Sequence, residues 1–222
     1  IIDSHIAYGA PNKQDTSAAH GEPLGEEELR LAKRHYGWPE DKPFFVQEGV
    51  REHFNEGIGK RGRDERNAWM KKFEEYRTDY PKLADELYKM QHRELPQGWD
   101  KDIPNFPADP KGISGREASG KVLNAIAKNL PWLVGGSADL YPSPKTRLTF
   151  EGAGDFSAGD TSGRNFHFGV REHAMGSIVN GLAHAKIRAF GSSFLIFSDY
   201  MRAPIRLSAL MEIPSIWIFT HD

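Results

Sequence analysis

From residue 114 to the last residue, short apolar strand patterns and amphipathic helix patterns alternate along the chain. Strands that are joined by helices run parallel, and the helices cover both faces of the sheet that forms. The predicted fold is therefore α/β, a mostly parallel sheet with helices on both faces. In order, the patterns are helix 114–130, strand 132–140, strand 165–170, helix 172–185, strand 187–194, helix 199–212 and strand 214–222.

Residues 1–50 form a first section with a different organisation. The apolar run Ile1–Tyr8 predicts a strand, and a loop rich in glycine and proline follows it. A helix is predicted to begin near Glu26, because acidic residues in a first turn complement the helix dipole. It should end near Gly37, which is followed closely by a proline.

Residues 51–113 are predicted to be a helical connector followed by a linker. A stripe of apolar residues at helical spacing indicates amphipathic helices that pack on neighbouring domains. Pro81 should divide the stripe into two helices, since proline interrupts a helix interior. Several prolines after residue 95 mark a linker, which leaves residues 114–222 as a separate domain. The stripe consists of Trp69, Phe73, Tyr76, Tyr80, Leu83, Leu87 and Met90.

Charge and composition exclude several classes of function. The 29 basic and 31 acidic residues give a formal net charge of -2, so neither nucleic acid nor an anionic membrane is expected as a partner. The absence of cysteine excludes disulfides and thiolate chemistry. Neither a membrane-spanning stretch nor a signal peptide is apparent. The lack of cysteine permits a reducing compartment, and a cytoplasmic location is expected. Strand patterns at both ends predict that the chain is a piece of a longer protein.

Glu172 stands between a predicted strand and a predicted helix. Phe166, Phe168 and Val170 alternate with other residues, so that strand turns an apolar face into the protein. A carboxylate just beyond it would be desolvated, which suits it to sharing a proton. An acid at the helix N-terminus, held by the dipole or by Arg171, is the structural alternative.

Arg116 occupies an unusual position for a cation. Ser114 and Glu117 form a capping box, which places Arg116 in the first turn of a helix. A positive charge there opposes the helix dipole. Together with the free backbone N–H groups of the first turn, it would suit a phosphate. An ordinary surface arginine is the alternative.

Aromatic residues and histidines provide further candidates. Phe194, Phe197 and Tyr200 recur every three residues after a strand and could line a slot for a flat heterocycle, or simply pack at a corner. His20 lies in a glycine- and proline-rich loop and His221 ends the last strand. Either histidine could be structural or solvated. Common metal-binding, phosphate-loop and serine-nucleophile motifs are absent.

Several long motifs, in this order, resemble transketolases, which depend on thiamine diphosphate. These are "GAPNKQDTSAAHGEPLG", "GGSADLYPSPKT", "FGVREHAMG" and "FLIFSDYMRAPIRLSAL", and the final "THD" resembles the opening of a further motif. The resemblance covers essentially the whole chain. It implies reversible transfer of a two-carbon ketol unit from a ketose phosphate to an aldose phosphate, in pathways such as the pentose phosphate pathway.

The resemblance also implies a cofactor site. Glu172 matches the glutamate that hydrogen-bonds the aminopyrimidine ring of thiamine diphosphate and exchanges a proton with it. Phe197 matches the residue that stacks on this ring, and Phe194 and Tyr200 complete the pocket. Matching cofactor-side residues in the "GGSADL" segment are Asp139 and Leu140.

Residues for the substrate follow from the same resemblance. His20 matches a histidine near the diphosphate and the reacting substrate, where it can assist proton transfer. Arg116, Ser143 and His221 match ligands of the sugar phosphate group. A bound phosphate would explain why a cation stands at a helix start.

A homodimer is implied as well. In this family the cofactor lies between the diphosphate-binding domain of one subunit and the pyrimidine-binding domain of the other. Residues 1–50 resemble the end of the first domain, and residues 114–222 resemble most of the second. His20 and Glu172 of one chain are therefore expected to serve two different active sites. The ligands of the Mg²⁺ or Ca²⁺ ion are expected outside these residues, and the fragment alone is expected to be inactive.

Other assignments remain open from the sequence. Dihydroxyacetone synthase, another thiamine diphosphate enzyme, shares much of the pattern. Deoxyxylulose phosphate synthase is a second such enzyme, but "HGEPLG" and "GGSADLYPS" fit transketolase better. A non-catalytic relative that keeps the sheet for dimerisation or regulation belongs to a different class. The presence of every matching cofactor-side residue favours an enzyme.

Overall fold

The computed structural model describes residues 1–221 and divides into two units, Ile1–Phe73 and Glu74–Asp222. The first unit contains α1 (Glu26–His35), α2 (Val50–Phe54) and most of α3 (Lys60–Asp79), with a 3₁₀ helix at Ser17–His20 and a π-helical turn at Asn55–Gly59. The second contains α4 (Pro81–His92), α5 (Gly115–Asn129), β1 (Leu133–Ser137), β2 (Asn165–His167), α6 (Glu172–His184), β3 (Arg188–Phe194), a 3₁₀ helix (Leu195–Met201), α7 (Arg202–Leu210) and β4 (Ile216–Thr220).

The strand predicted over Ile1–Tyr8 is wrong. These residues form an irregular segment that ends in turns, and Ile1 and Ile2 are exposed. All the strands that the structure describes belong to the second unit, so the described part of the first unit offers this segment no strand to pair with. An apolar run without a partner strand gains no ladder hydrogen bonds.

Helix α1 begins at Glu26 as predicted and carries a buried carboxylate, Glu28. Glu28 accepts hydrogen bonds from the backbone and side-chain N–H groups of Asn12, both at 2.8 Å, and from the backbone N–H of Lys13 at 3.1 Å. Burial by itself raises the pKa of Glu28, but the bonds from Asn12 and Lys13 outweigh it and hold the pKa below its usual value. The ionised acid therefore fastens the preceding loop to α1.

Two predicted helix boundaries are confirmed at the connector. Helix α3 ends at Asp79 and α4 begins at Pro81, whose missing N–H is not needed in a first turn. Ser114 caps α5, and its Oγ accepts from the backbone N–H of Glu117 at 3.4 Å. Among the described residues, no helix or strand lies between α4 and α5.

The predicted α/β fold is confirmed in the second unit. The sheet has the order β2-β1-β3-β4, and every pair of neighbouring strands is parallel. Adjacent residues on β3 point to opposite faces. Phe190 packs in a cluster with α5 residues, whereas Ala189 packs in a second cluster with α6 residues. Helices therefore cover both faces of the sheet, and among residues 1–221 no helix is long and apolar enough to cross a membrane.

Helix α6 packs closely on α7 at a glycine. A Cβ atom at Gly176 would lie 2.6 Å from the Cγ of Pro204 and 2.8 Å from its Cβ, distances that real contacts do not reach. Gly181 lies on the same helix, yet a Cβ there would meet nothing within 4 Å. The absent side chain at Gly176 thus sets the distance between α6 and α7.

The two glycines predict opposite effects of alanine on stability. Gly181→Ala should raise the free energy of unfolding by about 0.5–1 kcal/mol, because alanine loses less backbone entropy in a helix. Gly176→Ala should lower it by about 1–3 kcal/mol, because the new methyl group forces α7 away. Urea denaturation followed by circular dichroism measures both. A stabilising Gly176→Ala would contradict the close packing of the helices.

The Glu28 hydrogen bonds predict a pH-dependent contribution to stability. Because the folded-state pKa is lowered, the contribution is complete above the unfolded-state pKa and is lost as the pH falls through the folded-state value. Glu28→Gln should therefore destabilise the protein at pH 7 and converge with the wild type at acid pH. Melting temperatures recorded from pH 7 downwards test this, with the exposed Glu27→Gln as the control. A difference in melting temperature between Glu28→Gln and the wild type that does not depend on pH would contradict the prediction.

Candidate active site

A cavity of about 560 Å³ opens at the carboxyl edge of the parallel sheet. Its lining comes from the segments that directly follow β1, β2 and β3, where ligands of open α/β sheets bind. Five residues predicted from the sequence meet here. The lining consists of Ala138, Asp139, Leu140, Val170, Glu172, Phe197 and Tyr200.

Glu172 is the first residue of α6, and its carboxylate belongs to the cavity wall. The residue is 7% exposed and is therefore buried, as predicted from the apolar strand before it. Arg171 points elsewhere and donates to the backbone oxygen of Phe168 at 3.0 Å. Within residues 1–221, no ion pair joins Arg171 to Glu172. The alternative that Arg171 holds the acid is thus not supported, and the carboxylate is available to a ligand.

The aromatic wall owes its shape to the 3₁₀ helix Leu195–Met201. A 3₁₀ helix has three residues per turn, so residues three apart lie on the same side. The rings of Phe194 and Phe197 stack with centroids 5.9 Å apart, and Phe197 and Tyr200 are 6.3 Å apart. Phe197 and Tyr200 line the cavity. Phe194, which the resemblance places in the pocket, is not among the lining residues and packs against the Phe197 ring instead. The spacing of three in the sequence therefore signalled a continuous aromatic surface.

Asp139 and Leu140 reach the cavity through a tight turn. Strand β1 ends at Ser137, three residues earlier than predicted. The Ser137 hydroxyl accepts a hydrogen bond from the backbone N–H of Leu140 at 2.8 Å. Asp139 between them has a φ of 66°, a left-handed conformation that aspartate tolerates better than most residues.

Ala138 and Val170 are the lining residues that the sequence analysis missed. Both lie close to predicted site residues: Ala138 directly precedes Asp139, and Val170 lies two residues before Glu172. Neither carries a polar group that would mark it as functional. Their position just beyond the carboxyl end of a parallel strand was the available signal.

The predicted phosphate ligands Arg116 and Ser143 are also brought together. Arg116 lies in the first turn of α5, and its Nη1 donates to the Ser143 hydroxyl at 3.3 Å. The pair combines a guanidinium, a hydroxyl and the N-terminal end of a helix, all of which favour an anion. His221 follows β4 and is exposed at the same edge of the sheet.

His20 belongs to the first unit, where it ends the 3₁₀ helix Ser17–His20 and is exposed. Within residues 1–221, no group of three or more histidine and acidic side chains is arranged to hold a metal ion. The cavity itself suits a flat heterocycle with polar edges. Aromatic and aliphatic side chains can sandwich such a ring, while the carboxylates of Asp139 and Glu172 can accept hydrogen bonds from its edge.

Models of two known domains match almost the whole chain. Residues 1–96 match the thiamine diphosphate binding domain of transketolase, and residues 111–222 match the transketolase pyrimidine binding domain. The chain belongs to the transketolase family. Every residue that lines the cavity lies in the part that matches the pyrimidine binding domain of this family.

Individual transketolases agree with this assignment. Those of Bacillus subtilis strain 168 and Nostoc sp. strain PCC 7120 are each 45% identical to this chain and cover 100% of it. The alignments include 33% of either relative, so the chain spans about a third of their length. A crystal structure of a Pichia stipitis transketolase variant, described as a complex with xylulose 5-phosphate, matches with a TM-score of 0.83 and 36% identity over 98% of this chain and 33% of that chain.

Proposed function

We propose that this chain is the central part of a transketolase that transfers a two-carbon ketol unit from a ketose phosphate to an aldose phosphate. The observation that carries the proposal is the buried carboxylate of Glu172 in the wall of a cavity that also contains Phe197 and Tyr200. When bound, thiamine diphosphate supplies the thiazolium carbon at which the carbon–carbon chemistry takes place. The chain supplies the groups that hold the cofactor and move its protons.

Each wall of the cavity has a separate role in this proposal. Phe197 and Tyr200 hold the flat aminopyrimidine ring, and Val170 offers it a further apolar contact. Glu172 accepts a hydrogen bond from the ring edge and exchanges a proton with it. The burial of Glu172 strengthens that interaction, because a charge acts more strongly in a medium of low dielectric constant. Asp139 and Leu140 complete the cofactor side.

Arg116, Ser143 and His221 are proposed to bind the phosphate group of the sugar. The contact between Arg116 and Ser143 supports this role, because it places two hydrogen-bond donors beside the N-terminus of α5. A dianionic phosphate would offset both the charge of Arg116 and the helix dipole. The Pichia stipitis relative, described as a complex with a ketose phosphate, fits this substrate class.

Further parts of the proposal rest on the family resemblance. The enzyme is proposed to be a homodimer with active sites at the subunit interface, where His20 assists proton transfer. The diphosphate and its Mg²⁺ or Ca²⁺ ion would be held by residues outside this chain. A cytoplasmic location and a role in the pentose phosphate pathway stay predictions.

Glu172→Gln in the full-length enzyme tests the central assignment. Glutamine keeps the shape of the side chain but cannot exchange the proton, so kcat should fall about 10²–10⁴-fold. Ketol transfer from xylulose 5-phosphate to ribose 5-phosphate is the assay, and circular dichroism checks the fold. Exposed Glu151→Gln serves as the control and should retain full activity. Unchanged turnover in folded Glu172→Gln would remove this residue from the mechanism.

Mixing two inactive variants tests the shared active sites. If His20 and Glu172 of one chain serve different sites, a heterodimer of His20→Ala and Glu172→Gln contains one intact site. Random pairing should then restore about a quarter of the wild-type activity per dimer, because half of the dimers are mixed and each has one working site. Co-expression with two affinity tags isolates the mixed dimer. If that dimer is inactive, both residues act in the same site and the proposal is wrong.

A further inference from the structure

An ionic network outside the cavity joins two of the three chain segments that line it, the segments that follow β1 and β2. Asp155 lies in the long loop between β1 and β2. Its Oδ2 accepts from Nη2 of Arg147 at 2.8 Å, and its Oδ1 lies 3.1 Å from Nε2 of His167. Arg147 belongs to the arm of the loop that comes from β1, whereas His167 is the last residue of β2. Asp155 thus bridges the arm that follows β1 and the end of β2.

Tyr141 covers this network. The Arg147 guanidinium lies over the Tyr141 ring at 5.2 Å, and the His167 ring meets it edge-on at 5.9 Å. Tyr141 immediately follows Asp139 and Leu140 of the cavity and lies two residues before Ser143, the partner of Arg116. Leu140, just before Tyr141, therefore lines the cavity, and Ser143, two residues after Tyr141, contacts Arg116.

Through His167, the network is also connected along the chain to Glu172. His167 ends β2, and Gly169, with a φ of 66°, turns the chain before α6 begins at Glu172. A shift of the end of β2 would move this turn and the first turn of α6 with it. Two of the three segments that line the cavity are therefore tied to the carboxylate of Asp155.

We propose that Asp155 is a positioning residue, which holds Tyr141 through Arg147 and His167 and so fixes the 139–143 segment relative to Glu172. The inference rests on the proposed transketolase function. Hydrogen bonds from Arg147 first and His167 second hold the pKa of Asp155 below its usual value, which favours the ionised form of this carboxylate. The side chain of Asp155 is 44% exposed, and exposed ion pairs contribute little to global stability. Its loss should thus affect the site much more than the fold.

Asp155→Ala in the full-length enzyme tests the inference, with Asp85→Ala as a matched control. Asp85 forms an exposed ion pair with Lys89 within α4. Hydrogen exchange of residues 138–147 is measured without cofactor and should rise only in Asp155→Ala. The dissociation constant for thiamine diphosphate, from tryptophan fluorescence, and the KM for xylulose 5-phosphate should each rise about three- to thirty-fold. The kcat at saturation should change about twofold or less, and Asp155→Asn should be intermediate because it keeps one acceptor oxygen.

The outcomes separate this inference from the proposed function. If Asp155→Ala matches Asp85→Ala in exchange, cofactor affinity and KM while the wild type is active, Asp155 positions nothing and the inference is wrong. An equal rise in exchange throughout residues 74–221 indicates a general structural role and also overturns it. If the wild type lacks ketol transfer, the proposed function fails, yet the exchange of residues 138–147 still decides whether Asp155 holds this segment.

Discussion

Parallel pairing of the strands is the constraint on which the rest of the second unit depends. Because β1, β2 and β3 run in the same direction, the segments that follow them meet at one edge of the sheet. A turn after β1, a helix N-terminus after β2 and a 3₁₀ helix after β3 therefore surround one cavity. An antiparallel neighbour would send one of these segments to the opposite edge and leave the cavity open.

The irregular loop between β1 and β2 can form part of a site because buried hydrogen bonds fix it. The Asn165 side chain donates to the carbonyl oxygens of Leu148 and Gly154 and accepts from the backbone N–H of Leu148. Thr146 and Ser192 share a buried hydroxyl contact of 2.6 Å. Polar backbone groups that a helix or strand would satisfy are satisfied here by side chains. The loop thereby gains the rigidity that a binding site needs.

The periodicity of the sequence predicted the elements whose residues repeat at a regular spacing. It failed where the structure of a segment depends on a partner that is distant in the sequence. The α6 pattern and the three-residue spacing of Phe194, Phe197 and Tyr200 carry their own geometry, so both predictions hold. Ile1–Tyr8 shows that an apolar run cannot reveal whether a strand lies beside it. The contact of Asp155 with His167 joins residues through tertiary structure, and no local pattern signals it. The family motifs indicated Asp139 and Glu172, but not the apolar residues beside them.

The 139–143 segment connects the cavity, where the cofactor is proposed to bind, to Ser143, which is proposed to bind the sugar phosphate. Asp139 and Leu140 line the cavity, Tyr141 packs on Arg147 of the ionic network, and Ser143 contacts Arg116. Successive side chains can take such different directions because the left-handed Asp139 and the Ser137 hydrogen bond turn the chain sharply. If Ser143 binds the sugar phosphate, the backbone conformation of residues 139–143 would fix the distance between this phosphate and the cofactor. In the proposal, the anchor of this segment therefore acts on cofactor affinity and on the KM for the sugar phosphate, although it touches neither ligand.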